Sequence, residues 1–424
     1  ATPLLTRGPG GRRGYFARRD KQADAAPPHP HVLEGPCLTV HAPPEPCDDQ
    51  GRRPPRQLLR YNPRYAGSVF ALVQLRGTAF ASWAVWLHVL GYAAVSAAVC
   101  AAVFFAYPQP ELLHTERVNE LASYAASLLS ALLALHLAAA VQRWWALRTG
   151  TLGRLWSAVA DISMVLAAHL PQPGSAALKS LILRYSLASF ELTFMQAQGT
   201  DGVLGALVKQ ELLSDDEKRK LEELVSKPQA MWVWIAGILQ RLAERGRLSS
   251  RMLVLFYGIC ARARSAVGRG QGVFAYLDTQ WPFPYVHLLW VFVHLNSIAL
   301  AVKRGMLSAV AIWNLRRAER EDKVSHADNL HVLLLQVFLV IWAQALLHAT
   351  LEESSRLGEP FGDGLRDFPR RAYHEWMRSD CEALLAAGEA LPAEVLQATE
   401  EFEVREGDLV HDCVAIVEAP HAFL

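Results

Sequence analysis

The longest stretch without Asp, Glu, Lys or Arg runs from Gly77 to Pro110, and it constrains the fold more than any other feature. A helix rises about 1.5 Å per residue, so it needs about 20 consecutive apolar residues to cross the hydrocarbon core of a bilayer. Three more charge-free runs occupy residues 121–142, 279–302 and 330–351. The chain is therefore predicted to be an all-α, multi-pass membrane protein with four transmembrane helices.

Composition limits what else the chain can be. A hydrophobic content of 52% and a mean hydropathy of +0.13 are modest for a protein made only of spans, so much of it must lie outside the lipid. The net charge of +1 provides no basic field for nucleic acid, and no nucleic-acid partner is expected. No nucleophile elbow, Walker A motif or His-Glu-x-x-His pair occurs, so we do not expect an enzyme.

The two ends differ in character from the middle of the chain. Residues 1–58 are rich in Pro and Gly, and five arginines precede the first acid, Asp20. Such composition is typical of a disordered tail, or of an organelle transit segment. Residues 59–385 are expected to form the main domain, and residues 386–424 a C-terminal tail.

The flanking charges indicate an orientation for the spans. Arg60, Arg64 and Arg76 precede the first span, and Arg143 and Arg148 follow the second, which places both flanks on the cytosol-like side. The basic segment between the third and fourth spans would then be a loop on the far side, against the positive-inside rule. The predicted spans cover residues 79–106, 121–142, 281–302 and 330–351.

Residues 150–278 form a long block between the second and third spans that is expected to be a helical layer under the membrane. Ser214, followed by three acids, is a typical helix N-cap. Proline breaks are expected at 171–174 and at Pro228. Helical periodicity covers five segments: Asp161–Leu170, Ala176–Leu192, Gly202–Leu213, Asp215–Ser226 and Met252–Arg264.

Several short motifs, taken in order, resemble the bestrophin family of anion channels. The resemblance covers about residues 58–385, and plant and algal members are the nearest in kind. It implies a homopentamer in a lipid bilayer with one central pore, passive conduction of chloride and other small inorganic anions, and no required cofactor. The motifs are Gln142-Arg143-Trp144-Trp145, Arg184-Tyr185, Leu213-Ser214-Asp215-Asp216-Glu217, Trp232-Val233-Trp234, Pro282-Phe283-Pro284-Tyr285, Glu359-Pro360-Phe361-Gly362-Asp363 and Asp367-Phe368-Pro369.

The resemblance also implies a pore neck on the second span. Its positions fall on Ser127, Ala131 and Leu135, which are spaced four apart and so share one helical face. Family members usually carry bulky apolar residues there, whereas Ser127 and Ala131 are small. A wider or wetter neck follows, with easier passage of large anions such as bicarbonate or nitrate. The alternative is that these small residues form an ordinary helix–helix contact.

Two further sites come only from the resemblance. A lower constriction falls on Met252. A calcium clasp falls on the acidic run after Phe361, where Asp363 and Asp367 remain as acids and calcium binding would be weak. An acidic turn that caps the next helix is the alternative for that run.

Histidines inside the predicted spans are a separate feature. His287 and His294 are seven residues apart and share one helix face. Ionisable groups inside a membrane are candidates for function, although a neutral histidine bonded between helices is the commoner case.

Two other functions compete with the channel. An alternating-access carrier would need an internal repeat and a pair of broken spans, which the sequence does not show. A membrane-anchored scaffold would use the helical layer to bind partners. The Arg-rich start and the resemblance to plant members indicate a plastid (thylakoid) membrane, with the plasma membrane as the alternative.

Overall fold

The computed structural model describes residues 33–35, 38–41, 58–61, 75, 77–107, 115–170, 173–321, 323–362, 364, 366–390 and 392–395. Its strands are β1 (Leu33–Gly35), β2 (Leu38–His41) and β3 (Leu58–Tyr61). Its α-helices are α1 (Trp83–Ala106), α2 (Thr115–Trp145), α3 (Gly153–His169), α4 (Ala176–Ala197), α5 (Gly205–Lys209), α6 (Asp215–Glu222), α7 (Lys227–Glu244), α8 (Ser250–Val267), α9 (Val273–Asp278), α10 (Phe283–Glu321), α11 (Lys323–Gly358) and α12 (Arg370–Glu389).

The four predicted spans are confirmed as four helices that are long and apolar enough to cross a membrane. They are α1, α2, α10 and α11, and the chain is an integral membrane protein whose membrane layer is all-α. The helices α10 and α11 pack against each other and against both α1 and α2. The membrane layer is thus a four-helix bundle in which α10 and α11 are the common support.

The prediction of a charged loop between the third and fourth spans is wrong. Helix α10 contains 39 residues and α11 contains 36. At about 1.5 Å per residue both exceed the hydrocarbon thickness of about 30 Å, so the basic segment lies on their extensions. Arg304 donates to Gln336 Oε1 at 2.6 Å, and the guanidinium of Arg316 lies 4.6 Å from the ring centroid of Phe104. Both arginines therefore pack against neighbouring helices and do not belong to a loop.

The second layer, which we call the soluble layer, consists of α3 to α9 and α12 around one large apolar core. The periodicity of the sequence finds α3, α4, α6 and α8 but not α7. Pro228 was predicted as a break, and it occupies the first turn of α7, where proline lacks no needed hydrogen bond. Ser214 caps α6 in a full capping box with Glu217, as the sequence predicts.

A small antiparallel sheet precedes the membrane layer, with strand order β1-β2-β3. Strands β1 and β2 lie within residues 1–58, for which the sequence predicts disorder, so short segments of that tail pair as strands. The rest of the tail lies outside the described residues, as do residues 396–424 of the C-terminal tail.

A π-helical segment, Ala146–Leu152, joins α2 to α3 without a turn. The second span therefore runs directly into the soluble layer. Leu147, Thr151 and Leu152 of this segment are buried. The lower end of α2 is therefore anchored in the soluble layer through this segment.

We predict that Gly305→Ala destabilises the bundle. A Cβ atom at Gly305 would lie 2.5 Å from the Ser96 carbonyl oxygen and 2.9 Å from Val99 Cβ, so α1 and α10 would have to separate. Overpacking of this kind costs about 1–3 kcal/mol, which should lower the thermal unfolding midpoint of the purified protein.

The matched control is Gly91→Ala on α1, because an added Cβ there meets nothing within 4 Å. Its unfolding midpoint should stay at or above that of the unmodified chain. Equal midpoints for the two variants would contradict the close approach of α1 and α10.

Candidate functional site

One face of α2 is packed and the other is free. Leu129 and Leu133 are buried against Leu289 and Val293 of α10 and Leu351 of α11. The opposite face is exposed from Ser123 to Gln142. It carries the three residues predicted for the neck, Ser127, Ala131 and Leu135, together with Ser123, Ser130, Ala134, Ala138 and the large apolar side chains of Tyr124, Leu128 and Val141.

The exposed face of α2 combines three hydroxyl side chains with small and large apolar ones. Each serine hydroxyl donates to the carbonyl one turn earlier: Ser123 to Asn119 at 2.8 Å, Ser127 to Ser123 at 3.0 Å and Ser130 to Ala126 at 2.7 Å. The hydroxyl oxygens remain on the surface. No Asp, Glu, Lys or Arg occurs between residues 121 and 142, and His136 is buried, so the exposed face carries no fixed charge.

The exposed faces of α1 and α11 also present large apolar side chains, including Leu87, Leu90 and Phe105 on α1. On α11 the exposed set is Leu330, Val332, Leu334, Leu335, Val337, Phe338, Ile341, Trp342 and Leu346. What distinguishes α2 is its exposed serines, since the exposed residues of α1, and of α11 between 330 and 351, include no serine or threonine. Exposed hydroxyls suit contact with water or another protein chain better than contact with lipid tails.

Arg143 fastens the inner end of α2. Its guanidinium donates to the Thr279 carbonyl at 2.7 Å and to the Tyr276 carbonyl, and it lies 6.0 Å from the Trp281 ring centroid. These carbonyls belong to the segment that leads from α9 into α10. The arginine therefore holds the second span to the start of the third, a connection that the sequence does not reveal.

A cavity of about 730 Å³ lies beside this clamp. Its wall combines the aromatic rings of Trp281, Phe283 and Trp290 with polar groups of Arg143 and Glu359. The cavity separates the membrane layer from the loop after α11. It borders the inner end of α2 on the packed side, away from the exposed face.

The motifs that resemble bestrophins meet in the soluble core. The Glu217 carboxylate accepts from Arg184 at 2.7 Å and from the Tyr185 hydroxyl at 2.5 Å. Burial and the bond to Glu217 raise the pKa of Tyr185 to about 12. Burial alone would raise the pKa of Glu217, but the Tyr185, Ser214 and Arg184 partners hold it below its usual value.

The aromatic motif residues connect the two layers. Phe361 lies 5.0 Å from Phe194 and 5.4 Å from Phe368 between ring centroids, and Phe368 lies 5.3 Å from Trp144 at the end of α2. Ring pairs at these separations are stabilising beyond their buried area. These aromatic contacts connect the end of α2 to the apolar core of the soluble layer.

A buried carboxylate stands between α4 and α12. Glu191 Oε2 lies 2.5 Å from Arg370 Nη2, and its Oε1 lies 2.8 Å from His374 Nδ1. Burial would raise the pKa of Glu191, but His374 and the charge of Arg370 hold it below its usual value. The sequence offers no local signal for this network, because its members lie far apart in the chain.

Met252 of the predicted lower constriction lies in the first turn of α8, half-buried against the soluble core. The neighbouring Val254 and Leu255 are the exposed apolar side chains of that turn. A pore-facing position for Met252 stays a prediction.

Of the two predicted calcium ligands, Asp363 lies outside the described residues. The Asp367 carboxylate accepts from the Gly364 amide at 2.7 Å, so it closes a turn of its own loop. Among the described residues, no group of three His, Cys, Asp or Glu side chains is placed to hold a metal ion. Calcium binding at this loop stays a prediction.

Comparisons with known proteins identify the fold. No protein-family model matches the chain, and no curated protein does. A bestrophin homologue of Klebsiella pneumoniae matches in several single-substitution variants. One has 16% identity and a TM-score of 0.55 over 70% of this chain and 98% of its own. Another has 15% identity and a TM-score of 0.53 over 70% and 99%.

A further structure, described as a membrane protein, has 16% identity and a TM-score of 0.54 over 72% of this chain and 99% of its own. The fold is therefore bestrophin-like. This homologue is bacterial, and these matches give no support to a particular likeness with plant or algal members.

We predict that Glu191→Gln destabilises the soluble layer by about 3–5 kcal/mol at neutral pH, because it leaves the Arg370 charge buried without its partner. Because folding lowers the pKa of Glu191, its stabilisation is present above the unfolded value of about 4.3 and is lost as the pH falls through the folded value. The deficit should therefore shrink below about pH 4. Denaturant unfolding across pH measures it.

Glu222→Gln is the matched control, since Glu222 forms an exposed pair with Lys218 at 3.7 Å. Exposed pairs contribute about 0–1 kcal/mol, so its stability should be nearly unchanged. A similar, small effect for both variants would show that the buried network is not a stabilising element.

Proposed function

From its bestrophin-like fold, we propose that this integral membrane protein is a passive anion channel rather than an enzyme. Five copies would surround a central pore lined by the exposed face of α2. The observation that carries the proposal is this face itself, which leaves three serines and several small side chains exposed beside Tyr124, Leu128, Leu135 and Val141, on a helix whose other side packs against α10 and α11. The permeant ions would be chloride and other small inorganic anions.

The assembly follows from what the face can contact. Lipid tails offer no hydrogen bonds, so a row of three serines is better placed against water. A ring of identical subunits around a symmetry axis would enclose that water, because each copy contributes the same face. Ser127, Ala131 and Leu135 would then form three successive rings of the neck.

Conduction through such a neck would be passive. The neck has no fixed charge that would bind an ion tightly, and weakly bound ions leave the pore as readily as they enter it. The serine hydroxyls can turn from their backbone carbonyls towards an anion, which is a stronger acceptor. The small side chains at Ser127 and Ala131 make the upper neck wide enough for bicarbonate or nitrate in this proposal.

Calcium control would be weak. The Asp367 carboxylate is already engaged by Gly364, and the neighbouring Arg366 pairs with Glu353 at 2.8 Å, which brings a positive charge to the loop. A calcium site needs six to eight oxygen ligands, most of them free to turn towards the ion. We propose a channel whose current needs no calcium, in a plastid or plasma membrane.

The test of function is recording from the purified full chain in planar bilayers under a chloride gradient. We expect unitary current steps that reverse near the chloride potential and that persist when calcium is chelated. Slow, electrically silent flux would instead show a carrier, and absence of flux a scaffold. Full dependence on micromolar calcium would contradict the proposed weak clasp.

We predict that Ala131→Phe narrows the neck. The ratio of bicarbonate to chloride permeability, measured from reversal potentials, should fall several-fold. The phenyl rings introduced at position 131 would obstruct the larger bicarbonate ion more than chloride. Ala97→Phe is the matched control, since Ala97 is exposed on α1 and outside the proposed pore. An unchanged ratio in Ala131→Phe, or a monomeric mass for the purified protein, would refute this placement of the pore.

A further inference from the structure

Three imidazoles from three different spanning helices meet inside the bundle. His88 of α1, His294 of α10 and His348 of α11 have ring centroids 4.5 Å apart for the 88–348 pair, 5.6 Å for 294–348 and 5.8 Å for 88–294. We call these residues the histidine cluster. It lies in the part of the bundle built from α1, α10 and α11, away from the exposed face of α2.

The cluster contains both bonded and unbonded ring nitrogens. His88 Nδ1 lies 2.8 Å from the Ala84 carbonyl, which can only accept, so that nitrogen carries the hydrogen and Nε2 is left free. The Tyr92 hydroxyl lies 2.6 Å from His294 Nδ1. His348 is 5% exposed, and its Nε2 has no hydrogen-bond partner among the described residues.

The ring geometry does not suit a metal ion. The His88 and His348 rings are stacked with an angle of 13° between their planes, and Tyr92 stacks on His348 at 16°. Stacked rings present their faces to each other, whereas a metal needs ring nitrogens that converge on one point. A proton has no such requirement, because a single nitrogen holds it.

No neighbouring group neutralises a charge on the cluster. Within the described part of the chain, no carboxylate bonds to any of the three imidazoles. Glu352, one turn beyond His348 on α11, accepts instead from Ser82 at 3.2 Å and from Arg356 at 2.8 Å. On α10 the nearest cations along the helix are Lys303 and Arg304, which lie beyond His294.

The remaining packed element, α2, also supplies no compensating charge. Between residues 121 and 142 its titratable groups are Tyr124, which is exposed, and His136, whose ring lies 5.7 Å from Tyr285 and 5.8 Å from Trp281. His287, two turns before His294, is exposed and contacts Phe283. The aromatic groups around the cluster are Tyr92 and Trp290, 5.5 Å from His348 and 6.1 Å from His294 respectively.

We propose that the histidine cluster is a binding site for a single proton, which controls how tightly α1 packs against α10 and α11. The half-exposed His88 is the entry point, with its free Nε2 as acceptor. One positive charge is spread against the faces of the stacked rings and of Tyr92. A second proton less than 6 Å away would meet like-charge repulsion without a counter-charge, so the cluster holds one proton at a time.

Proton binding should loosen the bundle. An uncompensated charge in the low-dielectric interior destabilises the packed state, and separation of α1 would let water reach the cluster. Since α10 and α11 also support α2, acidification would act on the channel through the bundle rather than by blocking the pore. The site does not depend on the proposed anion conduction.

The test is thermal unfolding of the full chain in detergent at about pH 7.5 and about pH 5.5, a range that brackets ordinary histidine titration. The unmodified protein should lose at least about 3 °C more on acidification than the variant with His88→Gln, His294→Gln and His348→Gln. His287→Gln, on the same helix outside the cluster, should behave like the unmodified protein. An equal loss in the triple variant and the unmodified protein would overturn the proposal.

If the triple variant does not fold, His88→Gln alone supplies the comparison, because a half-exposed position tolerates the change. Its loss on acidification should be smaller than that of the unmodified protein, and an equal loss overturns the proposal. The unfolding measurement requires no ion conductance, so the test remains valid even if the protein proves not to be a channel.

Discussion

The packing of α2 on α10 and α11 is the constraint on which the rest of the structure depends. Leu129 and Leu133 insert against Leu289, Val293 and Leu351, so the orientation of the second span about its own axis is determined. Once those positions are buried, the opposite face must remain outside the protomer. Its exposed serines are then what distinguish it from the exposed surfaces of α1 and α11, since all three helices also present large apolar side chains.

The soluble layer holds that orientation from below. The π-helical segment carries α2 into α3 without a turn, and Arg143 ties its end to the segment before α10. Arg148 donates to the Tyr373 hydroxyl at 2.8 Å and lies 4.4 Å from its ring centroid, which joins the same region to α12. Any motion at the inner mouth of the proposed pore would therefore be shared with the soluble core.

The sequence predicts the membrane layer well because crossing a bilayer is a local requirement. A run of apolar residues is visible without knowledge of its neighbours, and so is a helix cap such as Ser214. The errors arise where local signals are ambiguous. The charged residues after Val302 were assigned to a loop, yet they lie on helix because Gln336 and Phe104 provide them with packed partners. Helix α7 was missed because Pro228 indicates a break as readily as a helix start.

The resemblance selected Ser127, Ala131 and Leu135, and their spacing of four residues places them on one face of a helix. What only the tertiary structure decided is which groups meet across helices. His287 and His294 share a face by sequence, but the partners of His294 are His88 and His348, on two other spans. Glu191 similarly finds Arg370 and His374 on another helix. Hydropathy and periodicity depend on neighbours a few residues apart, whereas these contacts depend on how whole helices pack, which no local pattern contains.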